Sequence, residues 1–196
     1  MHGNANPQDH DQEQGAGWGA LDALPGNPMM WILILSELMV FGAFFLGFSA
    51  ARVMDTALFD ASQARLDRFL GGLNTMVLIT SGYLVALAVR ARAEDRIGRS
   101  RALTVGSMAL GAVFLAVKLV EYADKARQGI DIDTNTFFTL FYLMTGFHML
   151  HVVLGLIILA LVLKWNSPAN LETAAAFWHM VDLIWIVIYP LVYLIR

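Results

Sequence analysis

Three pairs of ionisable residues lie within apolar stretches of this sequence, and each pair has a spacing of three positions. Residues at this spacing share one face of a helix, so each pair can act as a unit. Ionisable groups inside a membrane are costly, and each is therefore a candidate for function. The pairs are Lys118 with Glu121, His148 with His151, and His179 with Asp182.

The histidines allow two interpretations. Two or three imidazoles on facing helices could hold a metal ion or a haem, and an aspartate one turn from a histidine fixes its tautomer. The alternative is a buried polar network that joins neighbouring helices. A histidine pair at this spacing is not specific for a metal site, so the network is favoured. It comprises Glu37, His148, His151, His179 and Asp182.

Glu37 is the least expected of these residues, because it lies well inside the first apolar stretch with no nearby cation in that stretch. A histidine of the fourth apolar stretch is its expected partner, since both lie in the middle or cytoplasmic half of the bundle. A carboxyl group at this depth either relays protons or holds helices together. The structural role is favoured.

Lys118 and Glu121 lie near the end of the third apolar stretch. They are predicted to form an ion pair near the membrane interface, with the lysine stem extended toward water. A transport site is the less favoured alternative.

The elements that must position these residues are five long apolar stretches. The chain is 58% hydrophobic and only 15% charged, with a mean hydropathy of +0.60. About 20 helical residues cross the hydrocarbon core, and only a helix satisfies its own backbone there. The prediction is an all-α integral membrane protein, a bundle of five transmembrane helices. The stretches run near Met29–Ala51, Leu70–Val89, Ala102–Val120, Phe137–Leu163 and Ala174–Ile195.

Small residues recur at four-residue spacing in three of these stretches, which predicts close helix packing. Turn and capping residues, among them Asn27-Pro28 and Ser167-Pro168, predict helix starts, and Pro190 predicts a bend late in the fifth helix.

Residues 1–27 are polar and acidic and contain no lysine or arginine. A secretory signal begins with a positive region, so this segment is predicted to be a disordered tail before a membrane domain at 28–196. The arginines between the second and third stretches predict the orientation of the chain in the membrane, because connections rich in arginine and lysine usually lie on the cytoplasmic side. We therefore expect a cytoplasmic N-terminus and a periplasmic C-terminus. These arginines are Arg90, Arg92, Arg96, Arg99 and Arg101.

The chain has no cysteine. This excludes disulfides, thiolate metal sites, iron–sulfur clusters and covalently attached c-type haem in this chain. The net charge of −3 argues against a nucleic-acid partner. We expect no cofactor in this chain.

In order along the chain, several segments resemble subunit III of the haem–copper oxidase superfamily. They cover nearly everything from Pro25 onward, and their order makes the resemblance specific. The segment around Glu37 resembles the helix that carries the family's buried, carbodiimide-reactive glutamate. The matching stretches are Ile34–Phe41, Leu73–Thr75 with Thr80 and Ser81, Val120–Tyr122, Thr145–Val152 (TGFHMLHV), and Phe177–Asp182 followed by Trp185 and Tyr189.

Within the family, residues 24–31 and 118–125 look most like the NorE-type branch, the accessory subunit linked with nitric oxide reductase and denitrification. The mitochondrial-type subunit III has additional N-terminal helices that build a lipid-filled cleft, so its lipid sites are not carried over. Membrane lipids are nevertheless expected partners.

The resemblance implies a non-catalytic accessory subunit in the bacterial inner membrane. Its partners would be the catalytic and cytochrome subunits of a respiratory complex, which would carry haem and non-haem iron or copper. Nitric oxide reductase is the leading expectation. A terminal cytochrome c or quinol oxidase, whose proton uptake subunit III supports, is the nearest alternative. An independent haem- or metal-binding protein and a proton transporter are alternatives of another class.

Overall fold

The apolar stretches form long helices that continue into the polar residues at their ends. The computed structural model describes residues 28–165 and 167–195, and that part of the chain is helical with short connections. The helices are α1 (Pro28–Met54), α2 (Thr56–Gln63), α3 (Arg68–Ala93), α4 (Ile97–Arg127), α5 (Thr136–Lys164) and α6 (Pro168–Tyr189), which continues as a π-helical turn (Pro190–Leu194).

The prediction of five transmembrane helices is confirmed for the described residues. Helices α1, α3, α4, α5 and α6 with its π-helical turn are each long and apolar enough to cross a membrane. The predicted bounds of α4 were too narrow, because its charged first and last turns remain helical. The short helix α2 was not predicted. The predicted tail, residues 1–27, lies outside the described residues.

Polar side chains cap the starts of four helices. The predicted cap at Ser167 is present, since its hydroxyl oxygen accepts a hydrogen bond from the backbone N–H of Asn170 at 3.2 Å. The predicted cap at Asn27 lies outside the described residues. The other capping residues are Asp55 for α2, Asp67 for α3 and Asn135 for α5.

Helix α6 is the most buried of the five spans and α1 the least. Trp178 of α6 lies between two glycines of neighbouring helices. A Cβ atom added to Gly111 would lie 2.8 Å from the Trp178 ring, and one added to Gly155 would lie 2.6 Å from it. Glycine is therefore needed at both positions for the indole to fit. Its N–H donates to the hydroxyl of Ser81 at 3.2 Å.

The small residues of α1 do not pack in this way. A Cβ added to Gly47 would have open space around it. Of the glycines in the four-residue pattern, Gly111 and Gly82 therefore make close contacts with α6, whereas Gly47 makes none within the described part of the chain.

Pro190 lies where α6 changes from α-helix to the π-helical turn. A proline cannot donate the backbone hydrogen bond of a continuous α-helix, which accounts for the change at this position. The π-helical turn carries Tyr193 into the interior, where it is fully buried.

Candidate functional site

Glu37 of α1 lies against His151 of α5. The Nε2 atom of His151 is 3.0 Å from Oε2 of Glu37, and the carboxyl side chain is 21% exposed. The other ring nitrogen, Nδ1, is 2.8 Å from the backbone carbonyl of Phe147. The rings of Phe41 and Phe147 pack against the imidazole, with ring centroids 5.4 and 4.8 Å away.

These contacts determine where protons can lie. A carbonyl oxygen only accepts, so Nδ1 of His151 must carry a hydrogen. The Nε2 atom then faces Glu37 either as a lone pair opposite a protonated acid, or as an N–H opposite a carboxylate. In both forms the pair has no net charge, although Oε2 of Glu37 has no aligned hydrogen-bond donor in this structure. A neutral pair is the form that an apolar environment tolerates best.

His148 contacts a different helix. Its Nε2 donates to the backbone carbonyl of Val181 in α6 at 3.1 Å. The ring packs against Phe114 and Trp185, with ring centroids 5.5 and 5.0 Å away. The Nδ1 atom is buried without a hydrogen-bond partner. His148 therefore joins α5 to α6 as a fully buried side chain.

His179 and Asp182 lie on the side of α6 that faces α3. Nδ1 of His179 is 3.7 Å from Oδ2 of Asp182, and the two side chains are 46% and 9% exposed. The carboxylate lies directly against Gly82 of α3, where any Cβ atom would overlap Oδ2. The other oxygen, Oδ1, is buried and has no hydrogen-bond partner.

The five residues of the predicted network therefore do not form one continuous network. Glu37 contacts His151, His179 lies near Asp182, and His148 contacts backbone. Two side chains three positions apart on a helix lie about 60° apart around its axis, and this difference is enough for His148 to contact α6 while His151 contacts α1. Within the described residues, no group of three or more histidine and carboxylate side chains is arranged to hold a metal ion.

Lys118 and Glu121 form the pair that their spacing predicted, but the surroundings differ from the prediction. Lys118 Nζ is 2.8 Å from Oε2 of Glu121, and the side chains are only 1% and 5% exposed. The ammonium therefore does not extend to water. Its second hydrogen-bond partner is the Tyr193 hydroxyl, which accepts from Lys118 at 3.0 Å and donates to Oε1 of Glu121 at 2.7 Å.

Aromatic rings enclose the Lys118 ammonium, with ring centroids 5.0 to 5.6 Å from Nζ. This distance allows cation–π attraction. The enclosure explains how a lysine can be buried at this position rather than extended to the interface. The rings are those of Tyr122, Phe141, Trp185 and Tyr193.

Sequence reasoning missed Tyr193 as a member of this cluster. It follows Glu121 by 72 positions and lies among apolar residues, so no local pattern connects the two. Only the packing of α6 against α4 reveals the contact.

Residues 26–195 match the model of the family described as "Cytochrome c oxidase subunit III". The chain belongs to this family. The predicted membership of the haem–copper oxidase subunit III family is thereby confirmed, and with it the multi-pass membrane character of the chain.

Curated relatives extend the match. The chain is 31% identical to "Cytochrome c oxidase subunit 3" of Thermostichus vulcanus over 84% of each chain. It is 31% identical to the protein of the same name from Synechocystis sp., over 84% of this chain and 73% of that one. It is also 27% identical to "Heme-copper oxidase subunit I+III" of Aeropyrum pernix, over 85% of this chain and 22% of that longer protein.

As a subunit III-type protein, the chain is an accessory component of haem–copper oxidase complexes, which work through separate catalytic subunits. These relatives are named for oxidases. The NorE-type branch has no specific support from them and stays a prediction.

Proposed function

We propose that this protein is subunit III of a bacterial terminal oxidase. It is a non-catalytic membrane subunit that packs beside the haem-bearing catalytic subunit and supports its assembly and sustained proton uptake. The main support for this proposal is the alignment of nearly the whole membrane domain with relatives named cytochrome c oxidase subunit 3. This proposal replaces nitric oxide reductase as the leading assignment.

The longer relative from Aeropyrum pernix supports a catalytic subunit as the partner. Its name joins subunits I and III in one protein, and this chain aligns with about a fifth of its length. A covalent connection keeps two parts close together at high effective concentration. We propose that the present chain makes the corresponding association with a catalytic subunit.

A pull-down of the tagged chain in mild detergent tests the proposal, with mass spectrometry of the partners and a visible spectrum of the eluate. Co-purified oxidase catalytic subunits with their haem spectrum would support it. A nitric oxide reductase catalytic subunit in the eluate would instead favour the NorE-type assignment. A haem spectrum or stoichiometric metal on the chain alone would favour an independent redox protein, and a colourless chain without partners would contradict stable subunit status.

Within this function, we propose that the contact between Glu37 and His151 is structural. Helix α1 is the least buried span, and this contact is its polar attachment to α5. Because the pair has no net charge, the attachment can exist inside a membrane without an isolated ion.

Glu37→Gln separates attachment from proton transfer, because glutamine keeps a hydrogen-bonding group of the same length but cannot exchange a proton with His151. We expect the variant complex to assemble and to retain its proton-coupled turnover. Glu37→Leu, which has no polar group, should loosen the complex during purification. Intact assembly of Glu37→Gln with slowed proton-coupled turnover would show that Glu37 carries protons.

We propose that the protein resides in the bacterial inner membrane with its N-terminus in the cytoplasm and its C-terminus in the periplasm. The support is the arginine-rich connection between α3 and α4. Because the chain has no cysteine, Asp95→Cys and Asp133→Cys would mark opposite sides with a membrane-impermeant maleimide. Spheroplasts should label Asp133→Cys at once and Asp95→Cys only after permeabilisation. The reverse pattern would invert the topology.

A further inference from the structure

A polar cavity lies where α3 ends and α4 begins. It has a volume of about 200 Å³, and three arginines and one carboxylate contribute to its wall. We call it the arginine cavity. It is lined by Leu87, Arg90, Ala91 and Glu94 at the end of α3 and by Arg96 and Arg99 at the start of α4.

The arginines of this cavity have too few carboxylates to neutralise them. Two of them share Glu94, since its Oε1 atom lies 3.4 Å from Nε of Arg90 and its Oε2 atom lies 3.3 Å from Nη1 of Arg96. Within the described residues, no carboxylate forms an ion pair with Arg99. Three positive side chains and one negative side chain leave the wall with an excess of two positive charges.

The rest of the connection does not supply the missing negative charge. Positions 90 to 101 contain five arginines and two acids, which is a net charge of +3. The second acid, Asp95, pairs with Arg92 at 3.0 Å. Helix α4 begins after Arg96, which provides no side-chain cap, and the positive end of a helix dipole adds to the field of the arginines. An anion in the cavity would therefore meet several positive groups at once.

The ion pairs that exist in the cavity are exposed. The side chains of Arg90, Glu94 and Arg96 are 76%, 41% and 58% exposed, and ion pairs exposed to water contribute little to stability. A guanidinium group makes stronger, bidentate hydrogen bonds with a phosphate group. A phosphate group in the cavity would therefore gain more from the arginines than Glu94 would lose.

We propose that the arginine cavity binds a phosphate group, with Arg96 and Arg99 as its main donors. These residues are three positions apart and share one face of α4. The site goes beyond the proposed function, because it requires no residue of a partner subunit.

The position of the cavity favours an anionic phospholipid as the source of the phosphate. Helices α3 and α4 both cross the membrane, so the connection between them lies at the level of the lipid head groups. Leu87 lies about one turn deeper in the span than Arg90 and provides an apolar wall where the acyl chains would begin. Basic pockets between transmembrane helices bind such head groups. Inorganic phosphate has the same chemistry and is the other source.

Lipid retention by the purified full chain tests the proposal. The chain is delipidated in a non-ionic detergent and incubated with dioleoyl phosphatidylglycerol, which is anionic, or with dioleoyl phosphatidylcholine, which is zwitterionic. Native mass spectrometry measures the bound lipid. Isothermal titration calorimetry measures the binding of inorganic phosphate separately.

Single arginine variants locate the site. Arg96→Gln and Arg99→Gln each remove one donor from the cavity. Arg101→Gln is the matched control, because Arg101 belongs to the same connection but does not line the cavity. It follows Arg99 by two positions and therefore points about 160° away around α4.

We expect phosphatidylglycerol to bind in preference to phosphatidylcholine. Arg96→Gln and Arg99→Gln should each weaken this binding about fivefold, and Arg101→Gln should weaken it less than about twofold. Arg99→Lys keeps the charge without the bidentate geometry and should restore part of the binding. If inorganic phosphate binds with the same dependence on Arg99 and the two lipids bind equally, the site is supported with free phosphate as its ligand.

Equal losses in Arg99→Gln and Arg101→Gln would overturn the proposal, because they would show a general attraction to the charged connection. Binding of neither phosphatidylglycerol nor phosphate, or binding that Arg99→Gln leaves unchanged, would also overturn it. If Arg99→Gln instead releases a co-purified subunit while lipid and phosphate binding are unchanged, the cavity contacts an acidic protein segment and the proposal is wrong. Circular dichroism should show equal helical content in all variants, since these arginines are exposed.

Discussion

Replacing Glu121 by glutamine would leave the Lys118 ammonium in the protein interior without its anion. Loss of one partner from a buried ion pair costs about 3–5 kcal/mol, because the remaining charge is uncompensated. The rings around Nζ and the Tyr193 hydroxyl remain in Glu121→Gln, and desolvated cation–π contacts are worth about 2 kcal/mol. We therefore expect a loss near the lower end, about 3 kcal/mol, which is a factor of about 100 in the unfolding equilibrium.

A double-mutant cycle isolates the interaction. Lys118→Met removes the cation and should also destabilise the protein, since it leaves the Glu121 carboxylate buried with only Tyr193. The double variant Lys118→Met with Glu121→Gln contains neither charge and should recover most of the loss. The expected coupling energy between the two positions is about 2–3 kcal/mol.

Unfolding by SDS in mixed micelles, followed by tryptophan fluorescence, measures these free energies. The ring of Trp185 lies 5.2 Å from Nζ, so the fluorescence also reports changes in this cluster. The reasoning would be refuted if Glu121→Gln lost less than about 0.5 kcal/mol, or if the double variant lost the sum of the two single losses.

Two further predictions concern the helices that position the site. Gly155→Ala places a Cβ against the Trp178 ring and should lower the free energy of unfolding by about 1–3 kcal/mol in the same SDS assay. The control Gly47→Ala, where the added Cβ has open space, should change it by less than about 0.5 kcal/mol, and equal losses would contradict the packing account. Ser167→Ala removes the cap of α6 and should lower the free energy of unfolding by about 1 kcal/mol, whereas Ser167→Asp keeps a capping oxygen and should not. Thermal unfolding measured by circular dichroism compares the two variants, and identical melting curves would show that the cap is unimportant.

The number and type of the membrane spans could be predicted because a long apolar stretch without alternating polarity crosses a membrane as a helix. Their ends could not, because charged side chains at a helix end extend toward water while the backbone remains helical. Helix α4 therefore continues to Arg127, beyond the apolar part of its sequence. Helix α2 has only eight residues of mixed polarity, which is too short for a periodic signal.

The candidate site could be predicted as a set of residues but not as a set of contacts. Spacing along one helix shows that His148 and His151 lie on neighbouring parts of its surface, but the packing of other helices determines what each contacts. For the same reason, the sequence could not show whether the three histidines form one network or make separate contacts. In the structure, His151 contacts Glu37, His148 contacts the Val181 carbonyl, and His179 lies near Asp182. The Tyr193 contact depends on the π-helical turn after Pro190, which no local pattern predicts.

The Lys118 cluster is assembled from residues that leave the ribosome at different times. Lys118 and Glu121 are synthesised together, but Tyr193 follows Lys118 by 75 residues. The ion pair therefore enters the membrane before its hydroxyl partner, and the cluster closes only after α5 and α6 have been inserted. Until α6 has been inserted, the Lys118–Glu121 pair lacks its hydrogen bonds to the Tyr193 hydroxyl. These hydrogen bonds therefore favour the packing of α6 against the helices that were inserted before it.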